Sequence, residues 1–333
     1  MEKHIKEIKY IQSIIKLLEL KLDGLTVLTE IGSSYYFYLP FIAALAGAKK
    51  VTAWTGTNNY FDCEELIEEA VELIAELNLT GIIEFSINQK SVKHIQEADI
   101  ITNSGFLRPL DKNFLKHCKS NVAISLMFEA WELRHTDIDI SYCKENKIRV
   151  AGIWESHPKL AIFESVGHLA IKLAMEAGHE IYQNQIIIWS NDDFGTITED
   201  YFNKLNPNKV IRTTDRSVVL QNLPETDFIY FCSNHEKRTI LGYQDDALFN
   251  PEELKALNPT ISIVHLYGQF DLKDVQNQLH VYPFQDGKCE YMSKTLTYLG
   301  MKPTLNLLIG GLKVGQEVFY DQRTNLTQMI HYD

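Results

Sequence analysis

Short apolar runs alternate along the chain with longer segments in which apolar residues recur at helical spacing. The runs predict strands and the periodic segments predict helices. In the first half of the chain the predicted strands are 25–29, 50–55, 81–85, 98–103, 121–127 and 148–153. Strict alternation of this kind is typical of a parallel sheet that helices cover on both faces.

A second alternation follows after a long predicted helix, 158–178, which has a proline near its start, a glycine at its end and apolar residues over most of its surface. We place a domain boundary at this helix. The later predicted strands are 186–189, 210–214, 218–220, 228–232, 261–266 and 280–282. The sequence thus predicts an α/β protein with two Rossmann-like, doubly wound parallel sheets, in domains 1–156 and 157–284. Helices within 285–333 are predicted to complete the first domain.

Composition narrows the class of protein further. A chain of 333 residues suits two domains, each with its own core. The net charge of -12 and the lack of a lysine/arginine stripe argue against a nucleic-acid partner. No apolar stretch is long enough to cross a membrane, and the amphipathic N-terminal segment predicts a packing helix that stops at Gly24. The 5 cysteines, the last of them Cys289, form no C-x-x-C pair, so we expect reduced thiols in a cytoplasmic protein without a metal site.

The most informative stretch is a predicted strand, 186–189, that runs through a tight turn into a helix. Gly195 takes the third glycine position of a dinucleotide-binding G-x-G-x-x-G, with Phe194 directly before it. Ser190 and Asp192 occupy the first two glycine positions. A carboxylate at Asp192 would face the phosphate charge of a bound dinucleotide. The turn therefore predicts either a dinucleotide site or a Rossmann domain that has lost its cofactor or binds another ligand.

Other residues complete the predicted cofactor site. Asp215 lies where an acid usually holds the ribose hydroxyls of NAD. The adjacent Arg216 could accommodate the additional phosphate of NADP, so NADP remains an alternative cofactor, less favoured than NAD. Cys232 and His265 follow or end later strands of the second sheet, at the edge where ligands bind in parallel α/β sheets.

Catalytic candidates lie at the carboxyl ends of strands in both halves. Glu129, Glu132 and Arg134 follow a buried strand and could bind and protonate a polar substrate, although a charged surface turn would give the same pattern. His157 near the predicted boundary could act as an acid or base, or could cap the following helix. His235 lies in a loop of the second domain, near the expected position of a nicotinamide.

Two segments resemble known families. Residues 137–150, DIDISYCKENKIRV, resemble the segment before the cofactor domain of D-2-hydroxyacid dehydrogenases. Residues 263–271, IVHLYGQFD, are similar to the corresponding strand and loop of S-adenosylhomocysteine hydrolase. Both families belong to one structural group, with a substrate domain, an NAD-binding domain and an active site in the cleft between them. The resemblance implies NAD-linked oxidation or reduction or an NAD-assisted elimination, and a homodimer as a possible assembly.

The catalytic residues of both families are replaced in this chain. Tyr267 stands where the dehydrogenases carry an arginine, and their late histidine has no clear equivalent within 286–300. Leu160 and Gln269 stand where the hydrolases carry a lysine and a histidine. Neither reaction can therefore be transferred to this chain as it stands.

A further segment, VLTEIGSS, resembles the first motif of S-adenosylmethionine methyltransferases, but Tyr35 replaces the second glycine and the next strand ends in Thr55 instead of an acid. We therefore favour an NAD(P)-dependent oxidoreductase that acts on a small polar metabolite, with a histidine or glutamate moving the proton. The alternatives are a non-catalytic ligand-binding or regulatory protein and an S-adenosylmethionine-dependent transferase.

Overall fold

The structure is a computed structural model, and it describes residues 3–273, 275, 278–287 and 291–330. The chain divides into two compact units. The first unit comprises Met1–Ile162 together with Gly300–Asp333, and the second comprises Phe163–Leu299. The four described cysteines are free, and Cys289 lies outside the described residues. No helix in the described part of the chain has both the length and the apolar character needed to cross a membrane.

The strands of the described residues are short and mostly buried. In chain order they are β1 (Thr26–Glu30), β2 (Lys50–Thr55), β3 (Ile83–Ile87), β4 (Ile100–Thr102), β5 (Ala123–Ser125), β6 (Arg149–Ile153), β7 (Gln185–Trp189), β8 (Lys209–Thr213), β9 (Phe228–Phe231), β10 (Thr239–Leu241), β11 (Ser262–His265), β12 (Gln269–Phe270), β13 (His280–Tyr282) and β14 (Thr327–Met329).

Helices connect most of these strands. In chain order they are α1 (Ile5–Leu18), α2 (Leu39–Leu45), α3 (Cys63–Glu76), α4 (Val92–Glu97), α5 (Lys112–Leu115), α6 (Ile140–Glu145), α7 (Glu164–Glu176), α8 (Asp193–Asn203), α9 (Arg216–Asn222), α10 (Pro251–Leu257) and α11 (Met301–Phe319).

The first unit contains a seven-stranded sheet in the order β14-β6-β5-β4-β1-β2-β3. All neighbours pair in parallel except β14, which runs antiparallel to β6. The parallel part has the strand order 3-2-1-4-5-6 of dinucleotide-binding folds. Helix α11 packs on β4, β5 and β6. A Cβ added at Gly315 would lie 2.7 Å from Cγ2 of Ile100 in β4, so glycine permits the close approach of this helix to the sheet.

The second unit contains a five-stranded parallel sheet in the order β13-β11-β9-β7-β8, with β10 and β12 paired separately. The strand order reverses beside β7, as it does in other doubly wound sheets. Its core includes the fully buried rings of Trp189, Phe231 and Phe249. The predicted fold class, two Rossmann-like parallel sheets, is confirmed.

Three sequence predictions of local structure were wrong. The strand predicted at 218–220 lies within helix α9, because Asp215 caps that helix by accepting a hydrogen bond from the backbone N–H of Ser217. The helix predicted from residue 158 begins only at α7, because Ala161 has a left-handed φ of 47°. Helix α1 ends at left-handed Glu19 and not at Gly24.

Candidate functional site

Ligands of open α/β sheets bind beyond the carboxyl ends of the strands, where the strand order reverses. That point lies between β1 and β4 in the first sheet, and between β7 and β9 in the second. At both points an acidic side chain bridges the two loops. Oε2 of Glu30 accepts a hydrogen bond from the N–H of Phe106 at 2.8 Å, and Oδ2 of Asp192 accepts one from the N–H of Asn234 at 3.0 Å.

In the second sheet, Asp192 is the N-cap of α8. Its Oδ1 accepts hydrogen bonds from the hydroxyl of Ser190 at 2.7 Å and from the backbone N–H groups of Phe194 at 3.1 Å and Gly195 at 3.3 Å. These N–H groups stand at the positive end of the helix dipole, where a dinucleotide fold holds pyrophosphate. The carboxylate of Asp192 therefore takes the hydrogen bonds that a ligand phosphate would need.

The remainder of this turn has the packing of a dinucleotide fold. A Cβ added at Gly195 would lie 2.5 Å from Oγ of Ser190, so glycine is needed for the close approach of helix and strand. Phe194 is buried, and its ring packs against those of Phe163 and Tyr267, with centroid distances of 5.1 and 4.9 Å. The residues present thus fit a dinucleotide at the helix–strand contact, but not at the phosphate-binding N–H groups.

Two predicted cofactor contacts lie in the core of the second unit. Cys232 is fully buried, and burial raises the pKa of its thiol. His265 is also fully buried, with Nε2 2.9 Å from the carbonyl oxygen of Pro283 and its ring 4.2 Å from that of Phe270. Burial lowers the pKa of His265 to about 4, so the imidazole is neutral at physiological pH.

Asp215 and His235 are more accessible. Asp215 follows β8, and its Oδ1 accepts hydrogen bonds from the backbone and the hydroxyl of Ser217, at 2.8 and 2.7 Å, which lower the pKa of the carboxyl. The neighbouring Arg216 pairs with Glu253 at 2.5 Å. His235 is exposed in the loop after β9.

In the first unit, the predicted residues Glu129 and Glu132 lie in a short 3-10 turn after β5. Oε1 of Glu132 accepts a hydrogen bond from the N–H of Glu129 at 3.3 Å, and the indole N–H of Trp131 donates to Oε2 of Glu129. The other oxygen of Glu129 accepts a hydrogen bond from the N–H of Glu155 at 2.8 Å. The structure therefore brings together two predicted carboxyl groups and a third, Glu155, that sequence reasoning missed.

These carboxyl groups have unusual proton affinities. Burial raises the pKa of Glu132 to about 7, and the nearby carboxylate of Glu129 acts in the same direction. Burial also raises the pKa of Glu155 well above its usual range, with further contributions from Glu132 and Glu129. A carboxyl group that still holds a proton near neutral pH can act as a general acid.

Arg134, the third predicted residue of this segment, pairs with Asp137 at 3.1 Å, and its guanidinium lies 5.7 Å from the centre of the Phe128 ring. Arg108, which sequence reasoning missed, lies 3.3 Å from the same carboxylate and 5.5 Å from the same ring. Arg108 also donates to the backbone oxygen of Asn103 at 2.7 Å. The signal for Arg108 was its position in the loop after β4, beside the point where the strand order reverses.

His157 has a local structural contact. Its Nδ1 accepts a hydrogen bond from the N–H of Lys159 at 3.2 Å, and its Nε2 lies 3.2 Å from Oδ1 of Asn325. His157 thus stabilises the turn that precedes α7, a helix that begins only at Glu164. Across the described residues, no group of three or more histidine, cysteine, aspartate or glutamate side chains has a metal-binding arrangement.

Comparison with known proteins gives matches at the level of structure. No protein-family model and no curated protein sequence matches the chain. A dipicolinate synthase structure from Bacillus halodurans covers 90% of this chain and 99% of its own, with a TM-score of 0.55 and 10% identity. The dipicolinate synthase structure from Bacillus subtilis covers 92% and 100%, with a TM-score of 0.55 and 10% identity. The pyruvate reductase of Chlamydomonas reinhardtii covers 92% and 99%, with a TM-score of 0.53 and 10% identity.

These structures are similar to the present chain along nearly its whole length. At such low sequence identity the similarity shows a shared fold only. The chemistry of this chain has to be inferred from its own residues. The resemblance predicted from residues 137–150 and 263–271 is confirmed at the level of the fold.

Proposed function

We propose that the protein is an oxidoreductase that acts on a small polar metabolite with a nicotinamide dinucleotide, NAD in preference to NADP. The observation that carries the proposal is the group of Glu129, Glu132 and Glu155 at the carboxyl edge of the first parallel sheet, where burial raises the pKa of Glu132 to about 7. Oxidation of an alcohol or amine and its reverse need a group that exchanges a proton near neutral pH. The fold, which is shared with a protein named as a pyruvate reductase, supports the same class of reaction.

In this proposal Glu132 gives a proton to the substrate, or takes one from it, at the oxygen or nitrogen of the reacting group. Glu129 positions the segment by holding the indole of Trp131 and the backbone of Glu155. Glu155 adds a further carboxyl group, and burial raises the pKa of that group above its usual range. A bound nicotinamide would supply the hydride chemistry.

The preference for NAD rests on the loop after β8. Asp215 is exposed there, and a carboxylate at this position can accept hydrogen bonds from ribose hydroxyls and would repel the additional phosphate of NADP. The nearby guanidinium of Arg216 is already paired with Glu253. This arrangement favours a ribose with free hydroxyls.

A second candidate function is non-catalytic binding of a small ligand. The specific observation in its favour is the carboxylate of Asp192, which holds the N–H groups where pyrophosphate would bind. In that case the carboxyl groups of the first sheet would recognise a ligand and transfer no proton. Such a protein would have no redox turnover.

Calorimetric titration with NADH, NADPH and S-adenosylmethionine tests the proposal. We expect NADH to bind more tightly than NADPH, and Asp215→Ala to weaken NADH binding by about tenfold through loss of a charged hydrogen-bond partner. Asp62→Ala is the matched control, because Asp62 caps α3 in the first unit by the same kind of contact, accepting from the N–H groups of Glu64 and Glu65.

The other titration results are equally informative. Failure of both nicotinamide nucleotides to bind at millimolar concentration would exclude the proposed oxidoreductase. Binding of S-adenosylmethionine alone would favour the transferase alternative, for which Gly32 follows the central strand of a 3-2-1-4-5-6 sheet.

A further inference from the structure

The turn between β7 and α8 contains an anionic group of the chain itself, the carboxylate of Asp192. Both oxygens of Asp192 are used, one towards the first turn of α8 and one towards the loop after β9. Together they span the point at which the strand order of the second sheet reverses. This is the geometry with which a parallel α/β fold binds a phosphate group of a ligand.

A second observation at the same place points to a ligand. Asn234, whose backbone N–H binds Asp192, is only 9% exposed, and its side-chain Oδ1 has no hydrogen-bond partner among the described residues. Buried polar atoms are nearly always satisfied in proteins, so a donor from outside the chain, either a water molecule or a group of a ligand, is expected at this oxygen. A ribose hydroxyl or a carboxamide has a suitable donor.

We propose that the carboxylate of Asp192 occupies the position of a ligand phosphate. The pyrophosphate of a dinucleotide must displace this carboxylate before the dinucleotide can bind. This inference rests on the proposed use of a nicotinamide dinucleotide and adds a competing anion to its binding site. The carboxylate and the pyrophosphate are both anionic and compete for the same N–H groups. Affinity for phosphate-bearing ligands is therefore limited by the release of Asp192, whereas affinity for ligands without phosphate is not.

Substitution of Asp192 tests this directly. Glycine at an N-cap costs a helix only slightly, and it restores the residue type of a dinucleotide-binding turn. We expect Asp192→Gly to tighten binding of ADP-ribose by about tenfold or more, because a competing charge at the helix N-terminus is removed. Binding of adenosine, which lacks phosphate, should change by less than about twofold, because no N–H group of the turn is required.

Asp193 offers a matched control. It is adjacent, equally charged and exposed in the first turn of α8, whereas the capping hydrogen bonds of that helix go to Asp192. Asp193→Gly should change the affinity for ADP-ribose by no more than about threefold, as expected for a screened surface charge. Equal gains in the two variants would show an effect of net charge and overturn the inference.

A second substitution keeps the test valid if the glycine variant does not fold. Asp192→Asn retains a capping oxygen and removes the charge, and we expect it to tighten ADP-ribose binding by about threefold. Thermal unfolding of each variant shows whether it is folded. No gain in either folded variant would overturn the inference.

The same titrations distinguish the inference from the proposed function. If wild-type protein binds NADH and Asp192→Gly adds nothing, the internal-anion role of Asp192 is wrong and the oxidoreductase proposal stands. If only the Asp192 variants bind NADH or ADP-ribose, the role of Asp192 stands, and the wild-type protein is not a nicotinamide-dependent enzyme.

Discussion

Replacing Gly152 with alanine is expected to lower the free energy of unfolding of the first unit by about 3 kcal/mol. Gly152 lies in β6, and a Cβ there would be 2.5 Å from the backbone nitrogen of Ala130 and 2.7 Å from the carbonyl oxygen of Phe128. These are backbone atoms, which cannot rotate away as a flexible side chain would. The substitution therefore has to move the segment that carries Glu129 and Glu132.

Urea unfolding followed by tryptophan fluorescence measures this effect. Because the chain has two compact units, the transition of the first unit should be followed by its own tryptophans, Trp54, Trp131 and Trp154, after substitution of the tryptophan in the second, Trp189. We expect the midpoint of that transition to fall, and the displaced turn to weaken ligand binding at the first sheet.

Gly32→Ala is the control for the loss of a glycine in the same unit. A Cβ at Gly32 would lie 3.4 Å from Cβ of Tyr36, an ordinary van der Waals distance, so we expect a change below about 1 kcal/mol. Similar unfolding midpoints for Gly152→Ala and wild-type protein would mean that the contact between β6 and the turn yields easily. The hypothesis that this contact positions the carboxyl groups of Glu129 and Glu132 would then be wrong.

The fold could be predicted to a large extent because buried parallel strands leave a clear pattern. Residues of β5, β7 and β9 are almost fully shielded from solvent, so these strands read as largely apolar runs. Strand β14 leaves no such pattern, because Thr327 and Gln328 are polar and the strand is defined by its pairing with β6. Valines at 218 and 219 suggested a strand, but the cap at Asp215 places them in a helix.

Residues of the candidate site could be predicted from their place after a single strand, but contacts between two different loops could not. Glu129 and Glu132 closely follow a buried strand, and Asp192 closely follows another, so position along the chain was enough to select them. The contact between Glu129 and Glu155 depends on the pairing of β5 with β6. The contact between Glu30 and Phe106 depends on the pairing of β1 with β4. Strand order is a long-range property that local patterns do not contain.

Glu132→Gln is expected to change the pH dependence of stability by about 2 kcal/mol between pH 5 and pH 8. In the folded chain the pKa of Glu132 is raised from its usual 4.5 to about 7. Well below pH 4.5 the group is protonated in the folded and the unfolded chain alike. As the pH rises towards 7, the unfolded chain releases this proton while the folded chain retains it, so the folded state loses stability until the pH exceeds the folded pKa.

Glutamine stays neutral at every pH and keeps the shape of a protonated glutamate, so this loss is absent from the variant. The stability of Glu132→Gln relative to wild type should therefore increase from about pH 5 to about pH 8. The variant also lowers the pKa of Glu155, because Glu132 is one of the groups that raise it. Part of the gain at the higher pH thus comes from easier ionisation of Glu155.

Unfolding in urea at about pH 5 and about pH 8, for wild type and variant, gives the free energies of unfolding that are needed. Glu145→Gln serves as the control, because Glu145 is exposed on α6, and its effect on stability should differ between the two pH values by less than about 0.5 kcal/mol. If Glu132→Gln showed the same small difference, Glu132 would be ionised in the folded protein at neutral pH. It could then act as a base but could not donate a proton, and the proposed reaction would have to proceed through Glu155.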